Sequence, residues 1–159
     1  MGDNRRGKLF AEFIHDNFKS VNRIADIADG NLITAHNLLD YYPNSEIIVF
    51  DPKIRARKNS NNIHCFKKCF YSTEKLKCDL IIGMHPDEGT GEIIDFAILN
   101  RLPFIICPCC LKGKYSQRVN GKHGWIKLLK TIAVNRNYSV TEKQLNMSGD
   151  NIVLMGRIN

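Results

Sequence analysis

The sequence predicts an α/β fold of three layers, helix, sheet and helix, around a mostly parallel sheet that ends in an antiparallel C-terminal hairpin. Apolar β-branched runs of strand length alternate with amphipathic stretches or polar loops through most of the chain. The stretch from Arg23 to Asp51 reads strand, tight turn, helix, strand, which is one βαβ unit. Near the end, Tyr138 to Leu145 and Asn151 to Ile158 are joined by Met147-Ser148-Gly149-Asp150, a turn short enough to require an antiparallel pair.

Taken in order, Lys8 to Phe18 sets Leu9, Phe10, Phe13, Ile14 and Phe18 on one stripe, which predicts an N-terminal helix packed on the sheet. Arg5, Arg6 and Lys8 beside it read as a solvated basic tail or as cover for a ligand, and the tail is the plainer reading. Ile24 to Ile27 is the first strand, Ala28-Asp29-Gly30-Asn31 the turn, Leu32 to Tyr42 the helix and Ile47 to Phe50 the second strand. A charged loop, Pro52 to Lys58, leads to a short strand at Ile63 to Phe66. Cys78 to Met84 is a buried strand, His85 to Thr90 a turn, and Gly91 to Asn100 a helix. Pro103 to Cys107 is the next strand, followed by Pro108-Cys109-Cys110 and a basic loop from Leu111 to Gly124. Trp125, Ile126, Leu128, Leu129, Ile132 and Ala133 mark the last helix, and Trp125 reads as core. With 159 residues and no repeat or linker, the chain reads as one domain, 1–159, with the N-terminal helix at 1–20 and the core at 21–159.

Composition narrows the class. Hydrophobic residues make up 43% and charged residues 25%, which fits a packed globular domain. The net charge of +7 favours a polyanionic partner. No apolar leader or membrane-length run is visible, so a reducing, cytoplasmic setting is expected, with free thiols at Cys65, Cys69, Cys78, Cys107, Cys109 and Cys110. His64 with Cys65, Cys69 and Cys78 has poor ligand spacing, so no metal is expected.

The βαβ unit carries the first chemical signal. A helix N-terminus presents free N–H groups to a ligand, and an acid closing the second strand suits ribose hydroxyls. Asp51 lies 21 residues after Gly30, close to the spacing such an acid needs. Asp26 either orients the turn or caps the helix, and Asp29 and Gly30 either touch the ligand or serve the turn alone. His85 follows a buried strand at the edge where ligands bind, so it is a candidate general base, with Asp87 or Glu88 placed to orient it. The competing reading is a plain turn capped by Asp87. Cys109 and Cys110 are structural turn residues or thiols activated by nearby lysines; the turn composition favours the former. Lys53, Arg55, Lys112 and Lys114 follow strand ends and are candidate phosphate contacts, or solvated loop charges.

On these residues the sequence resembles the class I S-adenosylmethionine-dependent methyltransferases, a Rossmann-like family, over nearly the whole chain. The family's first motif closes a strand with Asp-x-Gly-x-Gly-x-Gly. Here Asp26-Ile27-Ala28-Asp29-Gly30-Asn31-Leu32 keeps the acid and the middle glycine, with Ala28 and Leu32 in place of the other two. Asp51 in Ile-Val-Phe-Asp-Pro fits the second motif, and Asp79 to Asp87 occupies the fourth, where acceptor meets methyl group. The Pro-Cys-Cys is similar to that of methyltransferase-like proteins, some of which act on tRNA. The family's adenine-holding acid after the third strand has no counterpart in Ile63 to Lys68, and no Asn-Pro-Pro-Tyr is present.

The resemblance implies an S-adenosylmethionine cofactor held by Asp26, Ala28, Asp29, Gly30, Asn31, Asp51, Pro52, Gly83 and Met84, with His85 and Asp87 facing the acceptor. It implies a nucleic-acid acceptor, RNA before others, or a small molecule, with help from a partner protein or a second copy. The alternative is a non-catalytic module that binds S-adenosylmethionine or nucleic acid; a dinucleotide reductase fits the closing hairpin less well.

Overall fold

In a computed structural model, residues 3–55 and 60–159 are described. Four helices, α1 (Arg6–Asn17), α2 (Ile33–Tyr41), α3 (Gly89–Asn100) and α4 (Gly121–Val134), accompany seven strands. The strands are β1 (Arg23–Ile27), β2 (Glu46–Phe50), β3 (Ile63–Phe66), β4 (Leu80–Met84), β5 (Phe104–Cys107), β6 (Tyr138–Gln144) and β7 (Ile152–Ile158). They form one sheet in the order β3-β2-β1-β4-β5-β7-β6. The pairs from β3 to β5 are parallel, and β7 runs antiparallel to both β5 and β6.

Strand alternation divides the core into two layers. Ile24, Ile47, Val49, Leu80, Ile82 and Ile105 face α1 and α2, where Phe10, Ile14, Ala35 and Leu38 cover them. Ala25, Ile48, Phe50, Ile81, Phe104 and Ile106 face α3 and α4, against Ile93, Phe96, Trp125 and Leu129. Both faces are thus apolar, as a parallel sheet covered on each side requires.

Two boundaries differ from the sequence reading for physical reasons. β4 begins at Leu80 because the Asp79 carboxylate turns back to accept the Asn22 and Arg23 N–H groups at 3.1 and 2.9 Å. α4 begins at Gly121, so the polar Lys122, His123 and Gly124 supply its first turn. In the hairpin, the later strand lies inside and the earlier one forms the edge. Val153, Leu154 and Met155 are buried, whereas Glu142, Lys143 and Gln144 are exposed, so the apolar strand takes the covered position.

The parallel strands end at a common edge. There the chain leaves β1 towards β2 on one side, while β4 and β5 lie on the other, so a crevice opens between β1 and β4.

Candidate cofactor and acceptor site

The β1–α2 turn is held by its own backbone and by one acid. Ala28 N–H donates to the Phe50 carbonyl at 2.8 Å, extending the β1–β2 ladder past the strand. Asp29 then caps α2: its carboxylate accepts the Ile33 N–H at 3.1 Å and the Ala35 N–H at 2.9 Å. Of the two acids, Asp29 rather than Asp26 is therefore the cap, and two of the amides expected to face a ligand are already engaged. Burial pushes the Asp29 carboxyl up, and these amide bonds only partly counter it.

The two positions where the motif's glycines are replaced are the strained ones. Ala28 has φ +69° and Leu32 φ +55°, both in the left-handed region. Leu32 is anchored by its buried side chain, but Ala28 gains little in return. Ala28→Gly relieves roughly 1–2 kcal/mol of left-handed strain and adds about 0.4–1 kcal/mol of unfolded-chain entropy. We expect a net stabilisation of about 0.5–1 kcal/mol, read as a higher urea midpoint at unchanged slope.

Gly30 is needed for space. A Cβ there would stand 3.0 Å from Asp51 Oδ2 and 3.3 Å from the Lys53 carbonyl. The Gly30 carbonyl also accepts the Arg55 N–H at 2.8 Å, and Asp51 Oδ1 accepts the Lys53 N–H at 2.6 Å. The turn and the acid after β2 are thus in direct contact, with Oδ2 left free of any protein donor among the described residues.

Asp26 lies beneath this turn, fully buried, with neither carboxylate oxygen hydrogen-bonded among the described residues. Burial, then the charge of Asp29, pushes its carboxyl well above the ordinary 3.8, which favours the neutral acid. The folded protein therefore retains a proton that the unfolded chain loses above about pH 3.8. Asp26's contribution to stability is greatest below that pH and falls as pH rises towards the folded-state value. Within that window the cost is up to about 1.4 kcal/mol per pH unit. Asp26→Asn should remove this fall, giving a flatter dependence of stability on pH in denaturant titrations between acid and neutral conditions.

Two cavities meet at Ala28. One, about 420 Å³, lies between the turn and α1, lined by Asp3, Asn4, Arg6, Gly7, Asn31, Ile33 and Met84 among others. Arg6 thus does lie over the turn, while Arg5 pairs with Asp3 at 2.9 Å and Lys8 is exposed. α1 comes this close because Gly7 has no side chain; a Cβ would meet Ile33 Cγ2 at 2.7 Å. The other cavity, about 450 Å³, is lined by Asp51, Pro52, Lys53, Cys69, Phe70, Tyr71, Asp87, Glu92 and Lys114 among others. Gly83 lines neither: its open side faces Ile93 and Pro86 at 2.6–2.9 Å, so it makes room for α3.

The β4 turn places His85 and Asp87 in left-handed conformations, φ +54° and +46°. The imidazole is oriented by the hairpin, not by Asp87: Nε2 lies 2.8 Å from the Asp150 carbonyl. A carbonyl can only accept, so Nε2 carries the proton and Nδ1 is the basic nitrogen of the neutral ring. Asp87 instead receives two thiols, Cys110 Sγ at 2.8 Å and Cys109 Sγ at 3.1 Å, both on Oδ1. Burial alone raises the Asp87 carboxyl, but the thiols, with Lys112 and His85 nearby, bring it below its ordinary value. Burial and the same carboxylate push both thiols up, which makes them donors rather than ready nucleophiles.

The cationic positions separate. Lys53, Arg55 and Lys112 are exposed. Lys114 is held by Asp95 at 2.6 Å and Glu92 at 3.5 Å, so its charge is directed to α3 rather than to a phosphate. Arg57 and Lys58 lie outside the described residues. Sequence reasoning missed the Cys69-Phe70-Tyr71 wall, whose only local signal is two adjacent aromatic residues in a polar loop. It also missed a cavity of about 730 Å³ between α4 and the hairpin, which shares no residue with the other two.

No family model matches the sequence, and no curated protein matches it. Solved structures do. The chain aligns over 98% of its length with 52% of human N-acetylserotonin methyltransferase in complex with SAM, at TM-score 0.61 and 14% identity. It aligns over 97% with 83% of the plantazolicin methyltransferase BpumL in complex with SAH, at 0.66 and 11%. It aligns over 98% with 76% of the Methanococcus jannaschii fibrillarin pre-rRNA processing protein, at 0.66 and 16%. The chain has the class I methyltransferase fold. It spans about half the length of the first of these relatives. In this fold the crevice between β1 and β4, where both cavities open, is the ligand edge. Among the described residues no helix is long and apolar enough to cross a membrane.

Proposed function

We propose that this protein is an S-adenosylmethionine-dependent methyltransferase that acts on a nucleic acid, RNA before others. The observation that carries the reading is the contact of Gly30 with Asp51 at the crevice, with one cavity on each side of Ala28. The residues fit the cofactor. Asp51 Oδ2 is free to accept ribose hydroxyls, Pro52 and Tyr71 wall the space beside it, and α1 closes the space over Asn31 and Met84. When bound, S-adenosylmethionine supplies an electrophilic methyl group.

The chain's own residues do the rest. Asp29 fixes the turn, and Asp26 supports it from below. His85, held through Nε2, offers Nδ1 to take a proton from the acceptor. Asp87, fastened by two thiols, fixes the rim of the acceptor side rather than the imidazole. Lys53, Arg55 and Lys112 are exposed near the same edge, and with the net charge of +7 they favour a phosphate-bearing acceptor. The likeness in fold to a pre-rRNA processing protein supports the same class.

Thermal unfolding with S-adenosylmethionine, S-adenosylhomocysteine and NAD tests the ligand, because a ligand of the native state at 100 times its Kd adds about 2.7 kcal/mol. Stabilisation by NAD alone would refute the proposal. Labelled donor offered to total RNA, DNA and small-molecule extracts then tests the acceptor, with label expected in RNA. Donor binding without transfer to any of them would favour a regulatory module.

A further inference from the structure

The register of β4 on β5 pairs Met84 with Cys107, and His85 N–H donates to the Cys107 carbonyl at 2.9 Å. The loops that follow therefore leave the sheet side by side and bring Asp87 against Cys109 and Cys110. One carboxylate oxygen and two sulfurs lie within 4.8 Å of one another, all on half-buried residues. Both thiols address the same oxygen, and the sulfurs are 3.3 Å apart. The Asp87 backbone is pinned as well, since its carbonyl accepts the Thr90 hydroxyl at 2.9 Å.

We propose that Asp87, Cys109 and Cys110 form a three-ligand site for a soft divalent cation, zinc above all, with its fourth position open. Two sulfurs and one carboxylate oxygen are a zinc donor set, and three protein ligands are the number found where zinc meets a substrate or water. In the metal-free protein the two thiol protons bridge sulfur to carboxylate in the place of the ion. Loading exchanges them: each thiol releases its proton to water, and the cation takes a lone pair from each sulfur and one from the carboxylate. Bonds of about 2.3 Å to sulfur and 2.0–2.2 Å to oxygen put tetrahedral donors roughly 3.5–3.8 Å apart, so the cluster opens by about 0.4–0.8 Å. The loaded site carries one net negative charge, which the neighbouring Lys112 offsets. Asp87 also lines the cavity of about 450 Å³, so the site borders that space. The site stands on this geometry alone and does not require the methyl-transfer reading.

The test uses the whole chain, stripped with a chelator, kept reduced and titrated with Zn²⁺ against a chromophoric chelator. One equivalent should bind. Cys109→Ser and Cys110→Ser should each weaken it by more than the roughly 10–100-fold that altering a supporting group costs. The Cys65→Ser protein, which changes an exposed thiol outside both cavities beside Ala28, should bind as the parent does. Co²⁺ in the unmodified protein should show thiolate-to-metal absorption of two thiolates, a readout that requires no variant. Absence of stoichiometric Zn²⁺ binding overturns the proposal. So does undiminished binding in the Cys109→Ser/Cys110→Ser protein, or a loss that follows Cys65 instead.

Discussion

Asp51→Ala is expected to weaken S-adenosylmethionine binding on the order of 100-fold while leaving the protein folded. The figure follows from two hydroxyl hydrogen bonds to an ionised carboxylate at about 1.5–3 kcal/mol each, with part of the loss recovered by water. The local cost to the fold is small, because among the described residues the carboxylate's one hydrogen bond is from the Lys53 N–H at an exposed loop. Asp51→Asn keeps an acceptor for that amide and so separates loop geometry from ribose contact. Calorimetric titration with the donor distinguishes the cases: equal affinity in parent and Asp51→Ala protein would remove the ribose assignment.

His85→Ala should lower kcat by about 10²–10⁴-fold, the range for loss of a positioned general base, with donor affinity little changed. Its ring lines neither cavity beside Ala28, so the effect should fall on turnover and not on cofactor binding. The variant also leaves the Asp150 carbonyl without its imidazole partner, and unfolding measurements alongside kinetics keep that effect apart. His85→Gln retains a donor for the carbonyl without a base. If its turnover matched the parent's, proton removal by His85 would be ruled out.

Much of the fold was legible because the signals are local. The runs Ile24–Ile27, Ile47–Phe50 and Pro103–Cys107 read as strands from apolar continuity, and Asp51 was marked by its distance from Gly30. The order within the hairpin was also written in the contrast between Val153-Leu154-Met155 and Glu142-Lys143-Gln144, but only burial against β5 gives that contrast its meaning. The site was less legible because its decisive contacts are long-range. Which acid caps α2 depends on the left-handed turn at Ala28, which swings Asp29 over the helix. Lys114 meets Asp95, and Cys110 meets Asp87, across about twenty residues that only strand register brings together. Gly83 looked like a ligand position from its place in the motif, yet it is small because Ile93 needs the room.

The single reversed strand has a practical outcome for anyone attaching a label. Because β7 runs against β5, Asn159 emerges on the side of the sheet opposite the crevice, while Asp3 and Asn4 form part of the crevice wall. A fluorophore attached at position 159 sits away from the crevice, whereas one attached at the exposed Asn4 obstructs the entrance.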